Sequence, residues 1–173
     1  ADLAWMQQSA ELDYATNLDD ARELAELMYN LAKLKIPTLA VVQGAAYGGA
    51  LGLISCCDMA IGADEAQFCL SEVRIGLAPA VISPFVVQAI GERAARRYAL
   101  TAERFGGERA RDLGLLAESY PAETLDQQVD QWIANLLQNS PAAMRASKDL
   151  LREVGNGARS EEHTSELQSP VRS

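Results

Sequence analysis

The chain has 173 residues, enough for one domain with a substantial core and hardly for two. It carries 24 acidic against 15 basic side chains, a net charge of −9 that disfavours nucleic acid, whose binding rests on clustered Lys and Arg. No stretch approaches the ~18 uninterrupted apolar residues of a membrane span, and no basic segment leads into an apolar run as in a secretory signal, so no membrane partner and a cytoplasmic location are expected.

The three cysteines, Cys56, Cys57 and Cys69, form no C-x-x-C, and they read as small core residues of a reducing compartment rather than as metal or redox ligands. The chain begins on "ADLAWM" without a methionine. Its end, "RSEEHTSELQSPVRS" (159–173), lacks apolar periodicity and reads as the translation of a short-read sequencing adapter. That segment is therefore expected to be a non-native, disordered tail. The only histidine, His163, lies in it. Ser-His-Asp and Cys-His nucleophile systems and His-based metal sites are thereby excluded from residues 1–158, and chemistry there must come from carboxylates, backbone amides, tyrosines or lysines.

In chain order, residues 18–34 place Leu24, Leu27, Met28, Leu31 and Leu34 on one helical stripe, with Asn17 as cap and Asp19 and Asp20 at the positive end. Pro37 ends that helix. "TLAVVQG" (38–44) does not alternate and predicts a strand buried on both faces. A glycine-rich loop comes next, then a helix from about Gly49 to before Asp58. "DMAIGA" and "AQFCL" predict two further strands, giving an α/β order. "SEVRIGLAP" reads as a loop. Helices are expected over about 83–90, 92–100, 123–138 and 141–153, the last with Pro141 at its first turn and with Gly155 and Gly157 closing it.

The run "GAAYGGALG" (44–52) is the most distinctive local feature. A phosphate-binding P-loop would need Lys and Ser or Thr after Gly49, where Ala50 and Leu51 stand. A dinucleotide fingerprint would need glycine where Tyr47 stands. Two readings stay open. The run is a small-residue turn for close helix packing, which composition alone favours, or its helix-initiating amides hold negative charge on a reacting carbonyl oxygen.

The longer stretch "VVQGAAYGGALGLISCCDMAIGADEAQFCLSEVRIGLAP" (41–79) resembles the crotonase, or enoyl-CoA hydratase/isomerase, superfamily, with a weaker match in "ALTAERFGGERARDLGLL". The resemblance covers residues 1 to about 155. It implies a crotonase-like ββα spiral core, partial over 1–100, and a helical C-terminal region over 101–158 concerned with trimerisation. "ADL" looks like the end of the family's A-G-A-D-[LI] element, which implies that the family's first strands and helix are missing. By the same resemblance, Gly49 and Ala1 supply the two oxyanion amides for an acyl-CoA thioester, with coenzyme A as part of the substrate and no separate cofactor or metal. Glu72 matches the family's second catalytic glutamate; its bland role would be a salt bridge, with Arg74 for instance. Gly48 and Tyr47 fall at the substrate, Tyr47 as a residue that narrows the acyl pocket or merely fills core space.

Two departures stand out. Gly52 occupies the position where two-glutamate hydratases carry their first glutamate, which leaves one carboxylate to activate water or shuttle a proton. "APAVISPFVV" (78–87) replaces a glycine-rich turn of many members. Within the superfamily the chain looks most like bacterial 3-methylglutaconyl-CoA hydratases, whose relatives act on isohexenylglutaconyl-CoA. A substrate carboxylate wants Arg or Lys, with Arg74 as candidate. The resemblance implies an acyl-CoA hydratase, with a Δ3,Δ2-enoyl-CoA isomerase as runner-up. It also implies a homotrimer or dimer of trimers for the parent protein, and an inactive fragment if the missing oxyanion donor and strands are essential. RNA binding, shown by some eukaryotic relatives, is disfavoured by the acidity.

Overall fold

The structure is a computed structural model that describes residues 14–166, with side chains over 20–155. The first helix, α1 (Tyr14–Ala32), is succeeded by β1 (Leu39–Val42), β2 (Ala45–Tyr47), α2 (Gly49–Cys56), β3 (Met59–Ala63) and β4 (Gln67–Cys69). A 3-10 turn, Glu72–Ile75, leads to α3 (Ser83–Ile90) and α4 (Glu92–Thr101). The chain then forms β5 (Phe105–Gly106), α5 (Gly107–Asp112), β6 (Glu118–Tyr120), a second 3-10 turn, Ala122–Thr124, and the helices α6 (Leu125–Leu137) and α7 (Pro141–Glu166).

The strands form two three-stranded sheets, one in the order β1-β3-β6 and the other β2-β4-β5. Successive short strands thus enter different sheets. β1 pairs in parallel with β3, Leu39 against Met59, while β2 pairs in parallel with β4, Tyr47 against Cys69. The β3-β4 unit is laid in parallel on β1-β2, after which β6 adds in parallel to β3 and β5 antiparallel to β4. This is the ββα spiral. Phe68, Ile61, Leu51, Leu70 and Met28 are fully buried at its centre. Phe105 stacks on Phe68 with ring centroids 5.5 Å apart and meets Tyr98 at 4.4 Å.

Several expectations shift. α1 has already begun by Tyr14, so Asn17 lies inside it rather than capping it. Of its stripe, Met28 is fully buried, whereas Leu27 and Leu34 are exposed. β1 is not buried on both faces: Val41 is 41% exposed, and β1 stands at the edge of its sheet. Residues 45–47, expected as loop, form β2 because Ala46 turns into the core and the backbone pairs with β4. β5 and β6 lie beyond residue 100 and rejoin both sheets, so the strands do not stop where the helical region was expected to begin. α7 does not end at Gly155 or Gly157. Its backbone stays helical to Glu166, past the boundary expected near Arg159.

Candidate active site

The parallel pairing of β2 with β4 is what builds the site. Beyond the Tyr47–Cys69 register, the Gly48 amide donates to the Cys69 carbonyl at 2.9 Å. The two strands therefore end together, and their continuations emerge side by side: Gly49 and α2 after β2, Glu72 and its 3-10 turn after β4. Gly48 adopts φ 53°, ψ −120°, a conformation open to glycine that turns the strand abruptly into the helix. Its own N–H is taken by Cys69, so Gly48 contributes the turn rather than a donor. Gly49 is the first residue of α2, where backbone N–H groups have no partner within the helix and carry the positive end of its dipole.

Glu72 is 8% exposed, and it is the buried charged residue of the described core. Its Oε2 has no hydrogen-bond partner. Burial pushes its carboxyl above the ordinary carboxylate range, opposed only by a hydrogen bond from its own backbone. The salt bridge with Arg74 that would be its bland role does not form. The Arg74 guanidinium turns away and donates through Nη2 to the Ala102 carbonyl at 2.6 Å. A buried carboxyl without a cation or a full set of donors is costly for folding alone, and it is the state a general acid or base needs.

Gly52 lies one helical turn along from Gly49, and its surroundings are closed. A Cβ there would come within 2.5 Å of both Ile82 Cγ2 and Met28 Cε, and within 2.9 Å of Ile82 Cβ. Met28 from α1 and Ile82 from the segment before α3 thus fill the space in which a side chain at this position would stand. Leu24, one turn before Met28, would meet a Cβ at Gly49 at 3.9 Å, so α1 lays its stripe along the glycine face of α2. Sequence reasoning identified the absence at Gly52 but not the two residues that fill it. Glycines three apart facing a Leu–Met pair four apart is the signal that was available.

Tyr47 is half-buried, and the Arg104 guanidinium lies over its ring at 5.5 Å. Arg104 is a third residue that sequence reasoning missed. Ala1 lies outside the described residues. Among the described residues no group of His, Cys, Asp and Glu side chains is placed to hold a metal ion, and no helix is long and apolar enough to cross a membrane. The three cysteines are free thiols, with Cys56 and Cys69 buried. Burial and the neighbouring Cys57 raise the Cys56 thiol to about 11, so it stays protonated. A cleft of about 1110 Å³ lies elsewhere, lined by Tyr29, Lys33, Cys57, Asp58 and Lys148 among others, and it includes none of these site residues.

The sequence pattern described as enoyl-CoA hydratase/isomerase matches residues 1–169. The chain belongs to that family. Among its relatives, a hydroxycinnamoyl-CoA hydratase-lyase of Pseudomonas fluorescens is 36% identical over 129 residues, covering 73% of this chain and 47% of the relative. A 2,3-dehydroadipyl-CoA hydratase of Escherichia coli is 28% identical over 149 residues, covering 86% and 58%. The crystal structure of an enoyl-CoA hydratase from Shewanella pealeana superposes with a TM-score of 0.84 at 50% identity, over 96% of this chain and 63% of that one. The chain thus spans roughly half to two thirds of the length of these relatives. The crotonase fold expected from residues 41–79 is the fold observed.

Proposed function

We propose that this enoyl-CoA hydratase/isomerase family member adds water across the double bond of an α,β-unsaturated acyl-CoA. The observation that carries the reading is the buried Glu72 carboxyl, its Oε2 unpartnered, which follows the strand paired in parallel with the one that feeds α2. In this reaction Glu72 takes a proton from water as the oxygen bonds to C3. The C2=C3 electron pair moves towards the thioester, whose oxygen gathers negative charge at the Gly49 amide and, in the family pattern, at Ala1. Glu72 then returns the proton to C2. The raised affinity of Glu72 for a proton suits both halves of this exchange.

For the acyl group we propose 3-methylglutaconyl-CoA or isohexenylglutaconyl-CoA. The likeness of residues 46–68 and 71–86 to that branch supports this, as does a relative whose own substrate, 2,3-dehydroadipyl-CoA, is a dicarboxylic acyl-CoA. The active protein is proposed to be a trimer or dimer of trimers. Val73, Ile75 and Leu77 beside the site and Leu100, 76% exposed, are apolar surface suited to such contacts. Its three free thiols fit the reducing cytoplasm.

Glu72→Gln is expected to lower kcat by ~10² to 10⁴. Turnover within a few-fold of wild type removes Glu72 from the mechanism. The same variant has a stability signature. Because the folded carboxyl holds its proton more tightly than the unfolded one, its stabilising contribution is complete at acid pH and is lost as pH rises through the folded value. Glu72→Gln should therefore gain stability over wild type at neutral pH, with the gain fading on acidification.

The closed packing at Gly52 favours a second reading, a Δ3,Δ2-enoyl-CoA isomerase. There Glu72 moves a proton from C2 to C4 through a dienolate, and no water is activated. Assaying 3-methylglutaconyl-CoA against a 3-enoyl-CoA separates the two.

A further inference from the structure

Beside the site, two arginines are braced on one chain of contacts, Arg74 on the Ala102 carbonyl and Arg104 on the Tyr47 ring. Arg74 lies two residues after Glu72 in its 3-10 turn and donates to the Ala102 carbonyl at 2.6 Å. The buried Cys69 thiol reaches the same carbonyl at 3.2 Å, and Cys69 is the register partner of Tyr47. Arg104, two residues beyond Ala102, lies over the Tyr47 ring at 5.5 Å. Tyr47, Cys69 and Ala102 thus link the two arginines, and both are close enough to act electrostatically on the Cys69 thiol.

Neither arginine has an ion-pair partner among the described residues. The adjacent carboxylate is already occupied: Glu103 accepts two bonds from Arg97, at 2.8 and 2.9 Å, and a third from Thr101. In a chain with nine more acidic than basic side chains, these two solvent-exposed cations are left without a carboxylate and are open to an anion from solvent. Each has a bracing contact, a carbonyl for Arg74 and an aromatic face for Arg104, which reduces the entropy lost on binding. Planar guanidinium donors match a carboxylate or phosphate bidentately.

We infer that Arg74 and Arg104 form an anion-binding pair for the substrate, taking either a carboxylate at the far end of the acyl group or a phosphate of coenzyme A. This rests on the acyl-CoA reading above and adds Arg104 and the Tyr47 brace to it.

The test is calorimetric titration of the 173-residue chain with coenzyme A, crotonyl-CoA and glutaconyl-CoA, the last two differing by the terminal carboxylate. Arg74→Gln and Arg104→Gln are compared with wild type. If the carboxylate is the anion, each variant binds glutaconyl-CoA roughly 10- to 100-fold more weakly, while crotonyl-CoA and coenzyme A stay within about twofold. Equal weakening of all three ligands assigns the pair to a coenzyme phosphate. Arg74→Lys and Arg104→Lys, which keep the charge without the fork, should recover part of the loss in either case. Variants that melt like wild type and bind all three ligands unchanged overturn the inference while leaving the acyl-CoA reading intact. A wild-type chain that binds none of the three overturns both.

Discussion

The spiral around β2, β4 and α2 and the terminal pair of helices α6 and α7 are built on different terms. In the spiral, backbone approaches backbone and glycine is a spatial necessity. A Cβ at Gly107 would lie 2.5 Å from the Ala63 carbonyl oxygen and 3.0 Å from Asp64 Cα. In α7 nothing lies within 4 Å of a Cβ at Gly155, and Leu150, Leu151 and Val154 are 59, 70 and 59% exposed. Its hold on the spiral includes one side chain: Lys148, 12% exposed, reaches Asp58 Oδ2 at 2.7 Å and the Ile36 carbonyl at 3.0 Å. Asp58 in turn accepts from the Thr38 amide and hydroxyl at 2.7 and 3.0 Å. The candidate site lies in the region where positions are fixed by close packing on several sides. In the other region α6 packs Leu125, Val129 and Trp132 against the core, while α7 is braced by the polar contacts of Lys148 and keeps apolar surface open.

That contrast makes graded predictions. The largest loss is expected from Gly107→Ala, about 3 kcal/mol or more, because the obstacle is backbone that has no other rotamer. A denaturant midpoint within error of wild type would break the claim that the spiral is sterically closed. Gly52→Ala should cost ~1 to 3 kcal/mol, less than Gly107→Ala, since Met28 Cε can swing aside although Ile82 Cβ cannot. In a double-mutant cycle with Ile82→Ala, which removes the Cγ2 clash, the combined loss should be less than additive, and strict additivity would show that Ile82 is not what fills the site.

Lys148→Met should cost ~1 to 2 kcal/mol by leaving Asp58 and the Ile36 carbonyl without their ammonium partner. Hydrogen exchange should quicken in α7 and hardly at all in α2; equal quickening in both would merge the two regions into one cooperative unit. The smallest effect has the opposite sign. Gly155→Ala should stabilise by ~0.5 to 1 kcal/mol, because the residue is exposed, helical and free of contacts. Loss of stability there would mean that α7 is packed where the structure leaves it open.

Long helices and buried strands were legible from periodicity, because their apolar spacing is a local property: α3 falls at Ser83–Ile90 as expected, and β3 and β4 lie within the two segments expected as strands. The 41–79 motif also carried the family. β2, β5 and β6 were not legible. They are two or three residues long and exist only because a partner strand is present to accept their hydrogen bonds. Asn17 misled for a related reason, since a capping residue type marks a helix start only when the chain before it is not already helical.

At the candidate site, the family resemblance of the sequence pointed to one carboxylate, Glu72, and to a glycine, Gly52, at the position where two-glutamate relatives carry another. Only the tertiary structure decided that Met28 and Ile82 close that place and that Arg74 serves Ala102 rather than Glu72. It also brought Arg104 to Tyr47 from 57 positions away in sequence. The physical reason is the same in each case. Burial and electrostatic environment belong to contacts between distant segments, and a residue's type states what it can donate or accept without stating what will stand beside it.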